Sequence, residues 1–318
     1  MCFKNKFKKL KIILGLLFVS VLLYGCEKDE EKALENFRFN ETKTYDISDF
    51  IDETSGLKTP QGIVYAADAL YVADEDNDCI NKYDKEGNLL SVFGGTGNGD
   101  GELLSPVALA TDLDENIYVA EKGNLRIQVF DKNGKLVKCI NLNKLKQNKI
   151  SELFDIDVSD NDTIYLTVKT YEKDKCKLYA IKDDKVLSLE KEISGVLGTD
   201  STKEHMAYIQ SYKWENGYLV GATGYIGMLE SDKIRYLNTL PNKYSASDVV
   251  IYNNFIYAYS SGYATLDKFS MEGNYIETIF SQEASSENRG MSYMTVDNQG
   301  NFYINDSVNS KIYKIEKK

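Results

Sequence analysis

Six short apolar strands recur along this chain: Leu70-Tyr71-Val72, Ile117-Tyr118-Val119, Ile164-Tyr165-Leu166, Tyr218-Leu219-Val220, Ile256-Tyr257-Ala258 and Phe302-Tyr303-Ile304. Tyr71 and Tyr303 are 232 residues apart, so five steps give about 46 residues per repeat, the period of a four-stranded propeller blade. A repeat of that length cannot bury its apolar face alone. Stacking six copies around an axis can.

Three copies align residue by residue. Val72-Ala73-Asp74, Asn77 and Cys79-Ile80 match Val119-Ala120-Glu121, Asn124 and Arg126-Ile127, and again Ile304-Asn305-Asp306, Asn309 and Lys311-Ile312. The pattern reads as a strand end, an acid that accepts turn amides, an Asn suited to a left-handed conformation, and a new strand. A second hairpin signal follows in Asp84-Lys85-Glu86-Gly87, Asp131-Lys132-Asn133-Gly134 and the weaker Ser270-Met271-Glu272-Gly273. Alternating runs such as Ile127-Gln128-Val129-Phe130 flank these turns, so the elements are strands. The expected fold is all-β: a six-bladed β-propeller of four-stranded antiparallel blades. The sixth repeat has room for only three strands before the chain ends. The alternating segment Thr42–Ile47 is therefore expected to pair beside Ile312–Ile315 and close the last blade, because an open edge invites aggregation.

These residues resemble the NHL-repeat family of β-propellers. Pro60-Gln61-Gly62-Ile63, the Tyr-Val-Ala-Asp run ending at Asp74, and Phe93 to Glu102 with its five glycines, followed by Pro106, are similar to that repeat. Blades one, two and six carry the signature, whereas three to five keep only the rhythm. The resemblance implies a rigid disc that binds a protein, peptide or glycan on its loop face. The stretch Gly94–Gly101 lacks the Lys-Ser/Thr ending of a phosphate-binding loop and leads into no helix, so it reads as a crossing between blades.

The N-terminus carries an address. Lys4, Lys6, Lys8, Lys9 and Lys11 precede an uncharged run from Ile12 to Gly25, too short for the roughly 20 residues of a spanning helix. Leu23-Tyr24-Gly25-Cys26 resembles the bacterial lipobox. That resemblance implies a signal peptide over residues 1–25, lipidation (palmitate among the acyl chains) of Cys26, a tether over 26–41 and a propeller over 42–318. Each acyl chain gains about 0.8 kcal/mol per buried methylene, so two or three would hold the protein on the outer side of the bacterial membrane. Without the five signal lysines, the formal charge of −11 becomes −16, which repels phosphate backbones and argues against nucleic acid as a partner. Cys79, Cys139 and Cys176 remain, odd in number and unsuited to a zinc pair, and read as buried thiols in a monomeric disc.

Candidate sites follow from the repeat. Asp74, Glu121 and Asp306 fall in separate turns and are expected to cap them. Aligned inner strands put Asp155 and Asp248 where Gly62 and Ala108 stand, facing the channel. Calcium would need six to eight oxygens, more than two carboxylates supply, so no cofactor is expected, with Ca2+ the one candidate. Gluconolactonase-like six-bladed propellers use a channel metal, and a metal-dependent lactonase-like hydrolase built on Asp155 and Asp248 is the alternative function. His205 is the sole histidine, expected just before the inner strand of blade four on the loop face, and excludes mechanisms that need two. Gly224-Tyr225 and Gly262-Tyr263 replace the Asp-Asn turns of blades four and five. Tyr225, Tyr263, Tyr208 and Tyr244 are thus the candidate binding surface for an envelope protein, peptide or glycan. Lys144, Lys146 and Lys149 form the one basic loop. A purely structural role, with contact through the disc edge, is the third reading.

Overall fold

The computed structural model describes residues 45–318 apart from 143–149, 171–175, 184, 191–192, 216–217, 222, 231–232, 243–245, 261–262 and 282–290. The described strands form six separate antiparallel sheets, one per blade, each built on a path of four strands that runs outward from the central channel. The inner strands are Pro60–Ala66, Pro106–Thr111, Ile150–Val158, Ile193–Thr199, Asp248–Tyr252 and Met291–Val296 for blades one to six. The expected tyrosines 71, 118, 165, 257 and 303 all lie in second strands and are buried, where they fill the space between neighbouring blades.

Blade six closes as the alternation of its partner segment requires. Tyr45–Ile51 lies antiparallel to Lys311–Lys317, with Ile47 opposite Ile315 and Ile51 opposite Ile312. Residues 42–44 of the expected closing segment lie outside the described residues. A second set of bonds joins the two ends of the ring. Asn305 Nδ2 donates to the carbonyls of Pro60 and Gln61 at 2.6 and 2.9 Å, and Tyr65 N donates to Thr295 Oγ1 at 3.0 Å.

Of the three acids expected to cap their turns, Asp306 accepts amides of its own turn, whereas Asp74 and Glu121 reach the segments that lead into the inner strands of their blades. Asp74 accepts the amides of Lys58 and Thr59, Glu121 that of Leu104, and Asp306 those of Val308 and Asn309. Asn77, Asn124 and Asn309 are not themselves left-handed: the positive φ falls one residue later, at Asp78, Leu125 and Ser310. Each Asn instead donates its side-chain amide back to the acid, at 2.6 to 2.8 Å, and this fixes the turn. The Gly94–Gly101 stretch is an inter-blade crossing whose carbonyls are held by Arg126, itself paired with Glu121 at 2.6 Å.

Blade four departs from the expected layout. Its second strand is Met206–Glu215, and Tyr218–Gly221, expected to be that strand, is a short extra strand paired to its far end. The long second strand outruns its partners, and an apolar triplet at its tip has the same alternation as a full blade strand. His205 consequently lies after the inner strand, in the turn to the second strand, with Nδ1 2.7 Å from Asp200 Oδ2. Cys79 is half-buried and Cys139 is exposed, so the expectation of buried thiols fails at both, and the side chain of Cys176 lies outside the described residues. Residues 143–149, with Lys144, Lys146 and Lys149, lie outside the described residues.

Candidate functional site in the central channel

Register brings one residue from each of five inner strands, all but that of blade four, to a common level. Ile63, Leu109, Ile156, Val249 and Met294 pair with the residue that follows the blade tyrosine, and Gly62, Ala108, Asp155, Asp248 and Tyr293 immediately precede them. Gly62 is small for a reason: a Cβ there would stand 2.5 Å from Leu109 N and 2.7 Å from Ala108 Cα. Blades one and two meet backbone to backbone. Gly198 serves blade four likewise, since a Cβ there would run into Val249 O.

At the seams between blades three and four and between blades five and six, carboxylates take over. Asp155 accepts from its own neighbour Ile156 N at 2.9 Å and from Leu197 N of blade four at 2.8 Å. Asp248 repeats the device, accepting from Val249 N at 2.7 Å and Met294 N of blade six at 2.6 Å. Tyr293 reaches across the channel from blade six, and its hydroxyl donates to Phe154 O of blade three at 2.5 Å. The phenol bars the channel. Above it a cavity of about 490 Å³ opens toward the turns between inner and second strands, within the size range of small-molecule sites.

Burial raises both floor carboxyls. Desolvation, reinforced by the charge of Asp157, pushes Asp155 up to about 7, and desolvation together with Asp155 holds Asp248 well above the usual carboxylate range. Tyr293 is raised for the same reasons, burial first and then the charges of Asp155 and Asp248. The sign for stability is then fixed. Between about pH 4 and 7 the folded state holds protons that the unfolded chain has released, so unfolding free energy falls as pH rises through that window. One pKa unit is worth about 1.4 kcal/mol, which makes the loss on the order of 3 kcal/mol. Denaturant midpoints measured at pH 5 and pH 8 are expected to differ accordingly, and Asp155→Asn/Asp248→Asn is expected to flatten the difference. An equal slope in the parent and the double variant would remove the pair as its source.

The donor set does not suit a metal. All four oxygens of Asp155 and Asp248 already accept backbone amides, and among the described residues no group of three or more His, Cys, Asp or Glu side chains is placed to hold an ion. Hard cations take six to eight oxygens, and these two carboxylates are committed as staples between blades.

The tyrosine candidates are scattered. Tyr208 is fully buried in the core between blades three and four, so it presents no surface. Tyr225 is in the third strand of blade four, Thr223–Glu230, and not in a turn; its ring meets Tyr236 edge-on at 5.4 Å. Tyr263 does sit in a turn, half-buried, and Tyr244 lies outside the described residues. The cavity opens on the opposite side of the disc from the turns that carry Tyr263. Tyr293 and Asp157 were missed as site residues. Extending the alignment of Gly62, Ala108 and Asp155 to blade six reaches Tyr293 directly, and Asp157 is two residues beyond Asp155 on the same strand.

A six-bladed ring closed by an N-terminal strand, with a barred channel and an acidic cavity, defines a class of propeller more than an activity. The chain belongs to the DUF5128 family, described as a 6-bladed beta-propeller, whose model matches residues 24–217. Among solved structures it is similar to a gluconolactonase of Xanthomonas campestris, at 12% identity and a TM-score of 0.63, covering 86% of this chain and 89% of that one. A streptogramin B lyase aligns at 14% identity and a TM-score of 0.57 over 86% of this chain and 98% of its own. Regucalcin from Agrobacterium tumefaciens, titled a calcium-binding protein, aligns at 12% and 0.56 over 85% and 94%. Likeness at this identity speaks for the fold. A 46-residue stretch is 42% identical to Protein lin-41 of Caenorhabditis elegans and spans 14% of this chain and 4% of that protein.

Proposed function

We propose that this is a binding propeller, tethered through lipidated Cys26 to the outer side of a bacterial membrane, whose ligand enters the central cavity. The observation that carries it is the blind cavity itself, barred by Tyr293 and lined by carboxyls whose oxygens are largely engaged in holding the blades together. Groups so committed are poor nucleophiles and poor ligands for an ion, yet they build a rigid, shaped and charged recess. The lysine-rich run before Cys26 supports the tether. The ligand is a small molecule or the projecting group of an envelope peptide, protein or glycan.

The test combines address and site. In cells, Cys26→Ser is expected to abolish incorporation of labelled palmitate and release the protein from the membrane fraction. In solution, residues 27–318 are screened against peptides, amino acids and oligosaccharides beside Ser201→Trp/Asn298→Trp, which places two indoles at exposed positions of the cavity mouth. Ligands that bind the parent and not the mouth-blocked variant support the reading. Ligands that bind both equally would move the site elsewhere.

A lactonase-like hydrolase remains the second reading, favoured by the gluconolactonase among similar folds and by Asp155 held at about 7, where a general base works best. It requires lactone turnover that disappears in Asp155→Asn.

A further inference from the structure

The reading of the cavity as a binding site leaves open what chemistry it selects, and the wall answers by how its carboxylates are occupied. Asp112 and Asp297, at the mouth, accept turn amides, an Asn side chain and a tyrosine hydroxyl through both oxygens. Asp155 and Asp248 are spent on inner-strand amides. Asp200 gives one oxygen to Thr202 and the other to His205. Asp157 differs. Its Oδ1 takes Val158 N at 2.7 Å and Thr199 Oγ1 at 3.1 Å and lies 3.6 Å from Lys203 Nζ, while its Oδ2 accepts no hydrogen bond from any described residue. The residue lines the cavity and is only 7% exposed.

We infer that the open Asp157 oxygen receives an organic cation, a primary ammonium or guanidinium group, and that this charge is what the cavity selects. The inference rests on the cavity being the binding site. That oxygen opens on the cavity, and a charge-assisted hydrogen bond is the strongest partner a carboxylate oxygen can take there. The field points the same way. Asp155, Asp157 and Asp248 face Lys203 alone at the bottom, and the mouth adds Asp112, Glu115, Asp200 and Asp297. Even with Asp155 and Asp248 both protonated and Asp157 paired with Lys203, the mouth carboxylates keep the recess negative, and its low-dielectric walls concentrate that potential. An anionic ligand is repelled, and a neutral polyol gains only ordinary hydrogen bonds. Lys203 is fixed on the Oδ1 side by its 2.8 Å bond to Thr199 Oγ1, which leaves the Oδ2 side for the incoming cation.

The test uses residues 27–318 and three matched sets of probes in heteronuclear NMR titrations: glucosamine against N-acetylglucosamine, cadaverine against 1,5-pentanediol, and a lysine-containing tripeptide against its N-acetylated form. The free amines and the peptide arm separate a small ligand from a side chain presented by a larger partner. Cations are expected to bind at least tenfold tighter than their uncharged counterparts, with affinity falling as salt rises. Asp157→Asn should weaken cation binding about tenfold and leave the uncharged probes where they were. Lys203→Met should tighten it, a change of sign that a damaged fold cannot produce. Equal or tighter binding of the uncharged probes, blocked by Ser201→Trp/Asn298→Trp, would overturn the cation assignment and keep the cavity as the site. Cation binding untouched by the mouth block would overturn both, and failure of every cation in the panel to bind would sink the assignment.

Discussion

A chain that begins at residue 53, without Tyr45–Ile51, is expected to be unfolded or aggregated at 25 °C where a chain beginning at residue 27 is folded. The lost strand supplies six backbone pairings to Lys311–Lys317 and most of the cover over the outside of blade six. Ile51 is 4% exposed, Phe50 meets Tyr303 edge-on at 4.9 Å, and Ile47 packs on the cluster around Phe302 and Ile315. Burial of a large apolar side chain contributes about 1.5–3 kcal/mol when complete, so one buried and two half-buried residues together contribute about 5 kcal/mol. That is comparable to the whole net stability of an ordinary domain. It also leaves the edge of Lys311–Lys317 free to pair with another molecule. A peptide spanning residues 41–53, added in trans, should recover soluble, folded protein, as measured by circular dichroism and sedimentation. A truncated chain with an unchanged melting midpoint would mean that Asn305 and Thr295 close the ring unaided.

The closing strand was legible because two features had to agree: a blade short of one strand and an alternating segment without a partner. The blades were legible for a similar reason, since tyrosine spacing and acid-capped turns are local and repeat. The cavity was not. Which face of the disc is hollow depends on where the channel is barred, and a single side chain of blade six, Tyr293, decides that by reaching a carbonyl of blade three, 139 residues away in the chain. The aromatic turns of blades four and five drew attention to the other face, where one of the four tyrosines, Tyr263, stands in a turn as expected. Asp155 and Asp248 were placed in the channel by alignment alone, yet their use could not be read there. The same carboxylate is a metal ligand, a base or a staple according to whether the next inner strand presents an amide to it, and that depends on a strand distant in the chain. Blade four shows the limit of periodicity itself, because a hairpin tip can copy the pattern of a strand.

Arg126→Leu is expected to cost about 3–5 kcal/mol, the range for breaking a buried ion pair from one side. Glu121 has no exposed side-chain surface and Arg126 only 10%, with 2.6 Å between them. The guanidinium also donates to the carbonyls of Asn98, Gly99 and Glu102, so its removal strands a carboxylate and loosens the glycine-rich crossing at once. Gln128 cannot make up the loss. It already bridges Glu102 O and Glu121 Oε1, and accepts Gly101 N. At about 2–4 °C per kcal/mol for a domain of this size, the melting midpoint should fall by roughly 6–20 °C, and amide exchange should quicken from residue 97 to residue 104. Replacing both partners separates charge from packing. Arg126→Leu/Glu121→Gln no longer buries an unpaired carboxylate and keeps an acceptor for Leu104 N, so it should regain a substantial part of the loss although it is one substitution further from the parent. If the single variant instead melts within about 1 kcal/mol of the parent, the crossing is held by its own backbone, through Gly97 N to Leu103 O and Leu103 N to Gly95 O, and Arg126 merely fills the space beneath it.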